Sequence, residues 1–295
     1  MKRNTVPILP LFIFILWGCE KTANIRLKDT EPKLVVEATI ENGQAPIVIL
    51  SRSLNYFSSI NPTIIENNFV RFAEIYISNG TKTHRLKEYS KLVGGQVKIY
   101  YYSIDTSDLA TAFNGELNTT YSLRILSENK EYTATTTIPN LTRRVDSLFW
   151  RPAPPGNKPE KVAVYVRAKD QPGFGDYVRY FTKTNSEPFY PGINSVFDDQ
   201  IIDGISYQIQ VERGVDRNTD REDDYVYFNK GDTVTLKLAN IDKSTFDFWR
   251  TMEFAYANLG NPFSTPTKIS GNISNGALGY FGGYAAQFHT IIIPK

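Results

Sequence analysis

The chain has 295 residues, 33 basic and 31 acidic side chains, a net charge of +2 and a single cysteine. So small a net charge, with lysines and arginines dispersed along the chain, excludes the basic footprint of a nucleic-acid binder. One thiol also excludes a disulfide framework or a cysteine-built metal site.

The amino terminus begins Met1-Lys2-Arg3-Asn4 and continues into the apolar run Val6–Trp17, the charged-then-apolar layout of a secretory signal. The run is shorter than the about 20 residues of a spanning helix, and Pro7 and Pro10 interrupt it. Leu16-Trp17-Gly18-Cys19 sets a small residue directly before the lone cysteine. That stretch resembles a bacterial lipobox, whose cysteine is alkylated by a diacylglyceryl group and becomes the mature N-terminus. Residues 1–18 therefore read as a lipoprotein signal peptide and Cys19 as the lipidation site. The polar stretch 19–31 reads as a tether. Two or more acyl chains hold a protein stably on a bilayer, so a membrane partner is expected through the anchor.

From Pro32 onward short strand signals alternate with turn residues. "KLVVEATI" breaks at Asn42-Gly43, "PIVILSRS" follows, and "AEIYIS" and "TKTHRL" flank Asn79-Gly80, a strong hairpin signal. "QVKIYYYS" comes next, then a hairpin of "TTYSLRILS" and "EYTATTTI". Tyr121, Leu123 and Ile125 share one face, as do Tyr132, Ala134, Thr136 and Ile138. Short strands at this spacing predict an immunoglobulin-like β-sandwich over residues 32–140.

A boundary is expected at "IPNLTRR", with a second β-rich domain over 141–295. Its predicted strands lie in "VDSLFW", "KVAVYVRAKD", "DYVRYFTKTN", "ISYQIQVERG", "DDYVYFN" and "DTVTLKLAN". In the last of these Val234, Leu236 and Leu238 point inward. One amphipathic helix is expected after a cap at Asp242 or Ser244, with Phe246, Trp249, Met252, Phe254 and Tyr256 near helical spacing. The glycine-rich end, "GALGYFGGYAAQFHTIII", reads as a terminal hairpin. The fold class is thus mostly β, a sandwich followed by a β-rich domain with one helix.

Candidate chemistry is sparse. His84 and His289 are the two histidines, and neither has a recognisable nucleophile partner in the sequence. Asp216, Asn218 and Asp220, continued by Glu222 and Asp224, fall at alternate positions, as in the first half of a calcium loop. Arg221 stands where that loop needs glycine, and Tyr227 where it needs a bidentate glutamate, so a solvated polar turn is the better reading and no cofactor is expected. Asp198, Asp199 and Asp203 form a second acidic turn. Most aromatics belong in cores, but some fall beside proline or glycine: Phe174 in "QPGFGDY" and Phe189-Tyr190 in "EPFYPG". These are the candidates for a partner or ligand surface, and Tyr56-Phe57, Phe263 and Tyr280-Phe281 are further loop aromatics.

Several segments in order, "CEK", "PKLVVEATIENGQAPIVILSRS", "YTATTTIP", "VDSLFW", "DQPGFGDYVRY", "GDTVTLKLANIDKSTFDFW" and "SNGALGYFGGY", resemble the lipoproteins of Bacteroidota grouped as domain of unknown function 4249. The resemblance covers almost the whole mature chain. It implies an outer-membrane lipoprotein of the cell envelope, facing the periplasm or the cell surface, often encoded beside a TonB-dependent transporter. It carries no enzymatic residues to transfer. The expected function is a membrane-anchored, non-enzymatic binding or accessory module. The alternatives are an envelope hydrolase using loop carboxylates and a purely structural envelope protein.

Overall fold

Alternating apolar residues determine the first strands. β1 (Leu34–Glu41) buries Val36, Ala38 and Ile40, and β2 (Ile47–Arg52) buries Val48 and Leu50, the period of a half-buried strand. The computed structural model describes residues 31–54, 61–95, 97–261, 264–265 and 267–295. The signal peptide, Cys19, the tether through residue 30, Tyr56, Phe57 and Phe263 lie outside the described residues.

α1 (Pro62–Asn67) is a second helix, beyond the one that periodicity predicts. It buries no residue and so carries no apolar stripe, but the sequence marks its start: Asn61 accepts the Ile64 N–H at 2.9 Å and Pro62 follows, a cap and a first-turn proline. β3 (Glu74–Ser78), β4 (Thr83–Val93), β5 (Val97–Ile104), β6 (Thr119–Ser127) and β7 (Lys130–Ile138) complete the first half. The hairpins at Asn79-Gly80 and between β6 and β7 form as the sequence predicts. β4 changes partner along its length. It pairs with β3 up to Arg85 and with β5 from Leu86, which carries the sheet around a corner. Tyr121, Leu123, Ile125, Tyr132, Ala134, Thr136 and Ile138 are all buried.

The second half holds β8 (Arg144–Pro152), β9 (Lys161–Lys169), β10 (Tyr177–Thr184), β11 (Tyr190–Phe197), β12 (Ser206–Val211), β13 (Phe228–Asn229), β14 (Thr233–Ile241), α2 (Lys243–Ala257) and β15 (Leu278–Ile292). One large sheet has the order β11-β10-β14-β15-β1-β2-β5-β4-β3-β6-β7. In the smaller sheet β8 takes one edge of β9, and β12 and β13 share the other.

The terminal hairpin expected from the glycines is a single strand of 15 residues. β15 runs parallel to β1 over Leu278–Tyr284 and antiparallel to β14 over Tyr284–Ile292. Its glycines serve close approach rather than turning. A Cβ on Gly279, which has φ 97°, would drive into the Val36 carbonyl, and one on Gly283 would lie 2.6 Å from the Thr137 carbonyl oxygen. Tyr280 and Phe281, expected in a loop, are buried in this strand. Phe281 and Ala285 join the core of β1–β7, whereas Ile293 joins the core between β9, β10 and β14. The boundary expected near residue 140 lies between β7 and β8, and β15 adds to the structure on both sides of it. Pro32–Lys295 form one compact unit.

α2 starts at Asp242, whose side chain accepts the Thr245 N–H at 2.8 Å. Phe246 and Phe248 pack under it on Tyr280 and Tyr284. Phe254 and Tyr256, expected on the apolar stripe, are instead exposed. Among the described residues the chain is mostly β with two helices, and no helix there is long and apolar enough to cross a membrane.

Candidate functional site

The two strand layers of the second half face each other through β9 and β12 on one side and β10 and β14 on the other. Their alternating apolar residues fill most of the space, burying Val162, Val164, Val234 and Leu236. Toward β11 and β12 the layers part, and a cleft of about 710 Å³ opens. Ile209 and Val211 of β12, Val178 and Tyr180 of β10, Val196 of β11 and Leu238 of β14 line it. Arg143, Asp198, Glu212 and Arg250 supply charge at its margins. Apolar walls, a few polar groups and a volume within about 300–1,000 Å³ are the attributes of a ligand site. Burial pushes the Tyr180 phenol well above its ordinary ionisation value, with the charge of Glu212 adding to this.

One end of the cleft is closed by charge. Arg143 is 1% exposed and its Nε donates to Asp170 Oδ1 at 3.0 Å, while Asp170 is fully buried. Asp170, Asp176 and Asp199 bring carboxylate oxygens within 4.8 Å of one another. Backbone groups take up much of this acceptor capacity. Asp199 Oδ2 accepts the N–H groups of Gly175 at 2.8 Å and Asp176 at 3.0 Å, and Asp203 Oδ1 accepts Gly173 N–H at 2.6 Å. The acidic turn seen in the sequence thus clamps the 171–176 turn against the 198–205 loop. Burial raises the Asp176 pKa from its ordinary value. The Thr142 hydroxyl opposes this, the charges of Asp170 and Asp199 add to it, and Arg143 counters in part.

The clamp presents two bare apolar side chains, Phe174 at 76% and Ile201 at 91% exposure. Phe189 and Tyr190 are elsewhere: Phe174 precedes β10 and they follow it, so the three aromatics occupy opposite ends of that strand. Phe189 is half-buried, edge-on to Phe288 at 5.7 Å. Tyr190 opens β11 rather than standing in a loop, with its hydroxyl 3.5 Å from Asp216 Oδ2.

Asp216 Oδ1 accepts the backbone N–H and the Nδ2 of Asn218, each at 2.9 Å, which closes a tight polar turn. Asp220 lines a second, polar cavity with Arg217, Arg221 and Asp223. Among the described residues the carboxylates that converge are Asp170, Asp176 and Asp199. His84 is 1% exposed and fully engaged: Nδ1 meets Thr111 Oγ1 at 2.8 Å and Nε2 accepts the Asp105 N–H at 2.9 Å. His289 meets the Gln287 side-chain oxygen at 3.2 Å, and burial lowers its pKa.

A second knot of buried charge lies under α2. Arg179 stacks on Trp249 at 3.4 Å and donates to Ser195 Oγ at 3.1 Å; Glu253 accepts the Ser195 N–H at 3.0 Å and also binds the Ser195 hydroxyl. It ties α2 to the outer strand β11. Sequence reading missed both knots. Arg143 stands in "TRR", which reads as a boundary, and its burial follows from its bonds to Asp170 and the Asp176 carbonyl beyond β9. The turn Gln171-Pro172-Gly173 and the acidic turn are each legible in the sequence; that they bind each other is not.

The family model for a domain of unknown function, DUF4249, matches residues 20–288. The chain belongs to this family. In this DUF4249 protein the matched region starts at the residue after Cys19 and takes in both strand layers, the clamp and α2. No curated protein matches the chain.

Proposed function

We propose that this DUF4249 protein is an outer-membrane lipoprotein of the cell envelope, held through Cys19, that serves as a non-enzymatic binding or accessory module for a TonB-dependent transporter. The observation that carries the reading is the clamped rim of the cleft. Phe174 and Ile201 are 76% and 91% exposed on two loops fixed to each other by Asp199 and Asp203. Bare apolar side chains held rigidly beside an apolar cleft are what a partner surface requires. The layout of the amino terminus supports the anchor.

Two results test it. Cys19→Ala should abolish labelling by a fatty-acid analogue and release the protein from the membrane fraction; normal labelling would contradict the anchor. Phe174→Ala should reduce recovery of the transporter from solubilised outer membranes while the protein stays folded and anchored. Undiminished recovery would remove Phe174 from the partner surface.

A further inference from the structure

The cleft lies where one more strand would stand. β12 (Ser206–Val211) pairs with β9 on one side, and no strand among the described residues pairs with its other side. The Asp170 N–H bonds the Ile205 carbonyl at 3.1 Å, and that pair is in register with the β9–β12 ladder. Hydrogen-bonded pairs alternate along an antiparallel ladder. Tyr207, Ile209 and Val211 therefore bond to β9, and Ser206, Gln208 and Gln210 aim their N–H and C=O groups away from it. The side chains of Tyr207, Ile209 and Val211 line the cleft, so a strand laid along β12 would close the mouth of the two layers.

The opposite lip is guarded. On β11 the Pro191 carbonyl accepts Val215 N–H at 3.0 Å, the Ile193 carbonyl accepts Arg217 at 3.2 Å, and Ser195 N–H donates to Glu253. Such caps block edge pairing. Among the described residues none caps β12 in this way: its sequence SYQIQV holds no lysine and no proline, and Ile205 and Ile209 beside the cleft are 51% and 46% exposed. An apolar ligand would need only the walls. The open row of backbone donors and acceptors selects an extended peptide.

We infer that β12 accepts an extended peptide segment of a partner protein by strand addition, with alternate apolar side chains of the segment entering the cleft. The inference rests on the reading of the chain as a binding module and names the chemistry of its partner. Backbone bonds along β12 give the affinity, and the cleft selects the alternation.

The full-length protein in detergent is panned against a display library of randomised peptides about ten residues long, longer than a typical strand. Enriched peptides should carry apolar residues at alternate positions and slow amide exchange at Ser206, Gln208 and Gln210. Gln208→Pro removes an outward N–H and leaves the β9 bonds intact, so it should weaken these peptides by about tenfold or more, an energy near 1.4 kcal/mol. Gln208→Thr should retain them. If Gln208→Pro melts early, Ile209→Lys offers the same test from a residue 46% exposed. Enriched peptides that bind the wild type and both blocking variants equally, or a library that yields no wild-type-dependent sequence, would overturn the proposal. So would concentration-dependent protection of the same amides without peptide, because the occupant would then be a second copy. Transporter recovered equally by wild type and Gln208→Pro would reject the strand while leaving the accessory role standing.

Discussion

Asp170 and Arg143 are both buried and form an ion pair at 3.0 Å. Removing one partner from such a pair leaves a bare charge in the interior, and Asp170→Asn is expected to cost about 3–5 kcal/mol in chemical denaturation. Asp176, a few residues on, should behave in the opposite sense. Its folded pKa is raised, chiefly by burial, so the folded state holds the proton more tightly than the unfolded chain does. Stability is therefore lost as pH rises from the ordinary aspartate value of 3.8 through the folded one. Asp176→Asn is expected to melt no lower than wild type at neutral pH, with the gap closing in acid. Thermal melts across pH check this, and a variant that melts lower at neutral pH would show that the carboxylate is net stabilising. Asp199 could be picked out as part of an acidic turn because turns are local. The burial of Arg143 could not, because it depends on contacts with Asp170 and Asp176 that only the packed strands and turns create.

Asp242 shows how one side chain can join elements. Its Oδ1 caps α2, and its Oδ2 accepts Thr136 Oγ1 at 2.7 Å and Thr137 N–H at 2.9 Å on β7. An ordinary cap is worth about 0.5–2 kcal/mol. Asp242→Ala also strands a hydroxyl and an N–H, so its cost is expected to exceed about 2 kcal/mol; a smaller loss would mean that water satisfies β7. The two aromatics should likewise separate by element. Phe174→Ala is expected to change stability by within about 0.5 kcal/mol, whereas Phe189→Ala gives up an aromatic contact with Phe288 and should lower the melting temperature measurably. Strand alternation and the Asp242 cap were legible because each is a local pattern. β11 and β15 were not. Pro191 hides a strand, since an edge strand tolerates proline, and the glycines of β15 look like turns although they serve close approach of backbones, a distinction that neighbouring strands decide.

At the scale of the molecule β15 is the shared member. It lends Phe281 and Ala285 to the core of the first half while pairing with β14 in the second. A chain of residues 32–140 alone would lack that strand beside β1. It is expected to show no cooperative thermal transition, and a cooperative melt would establish the first half as an independent domain. The same architecture leaves the cleft and its clamped rim at the far end of the large sheet, where β10 and β11 form the margin. A photoreactive residue at Ile201, in the full-length anchored protein in its native cell, tests the accessory role most directly. The account predicts an adduct with a β-barrel transporter, recognised by its heat-dependent mobility and lost with Cys19→Ala. A folded, anchored protein that forms no adduct with any membrane barrel would contradict it.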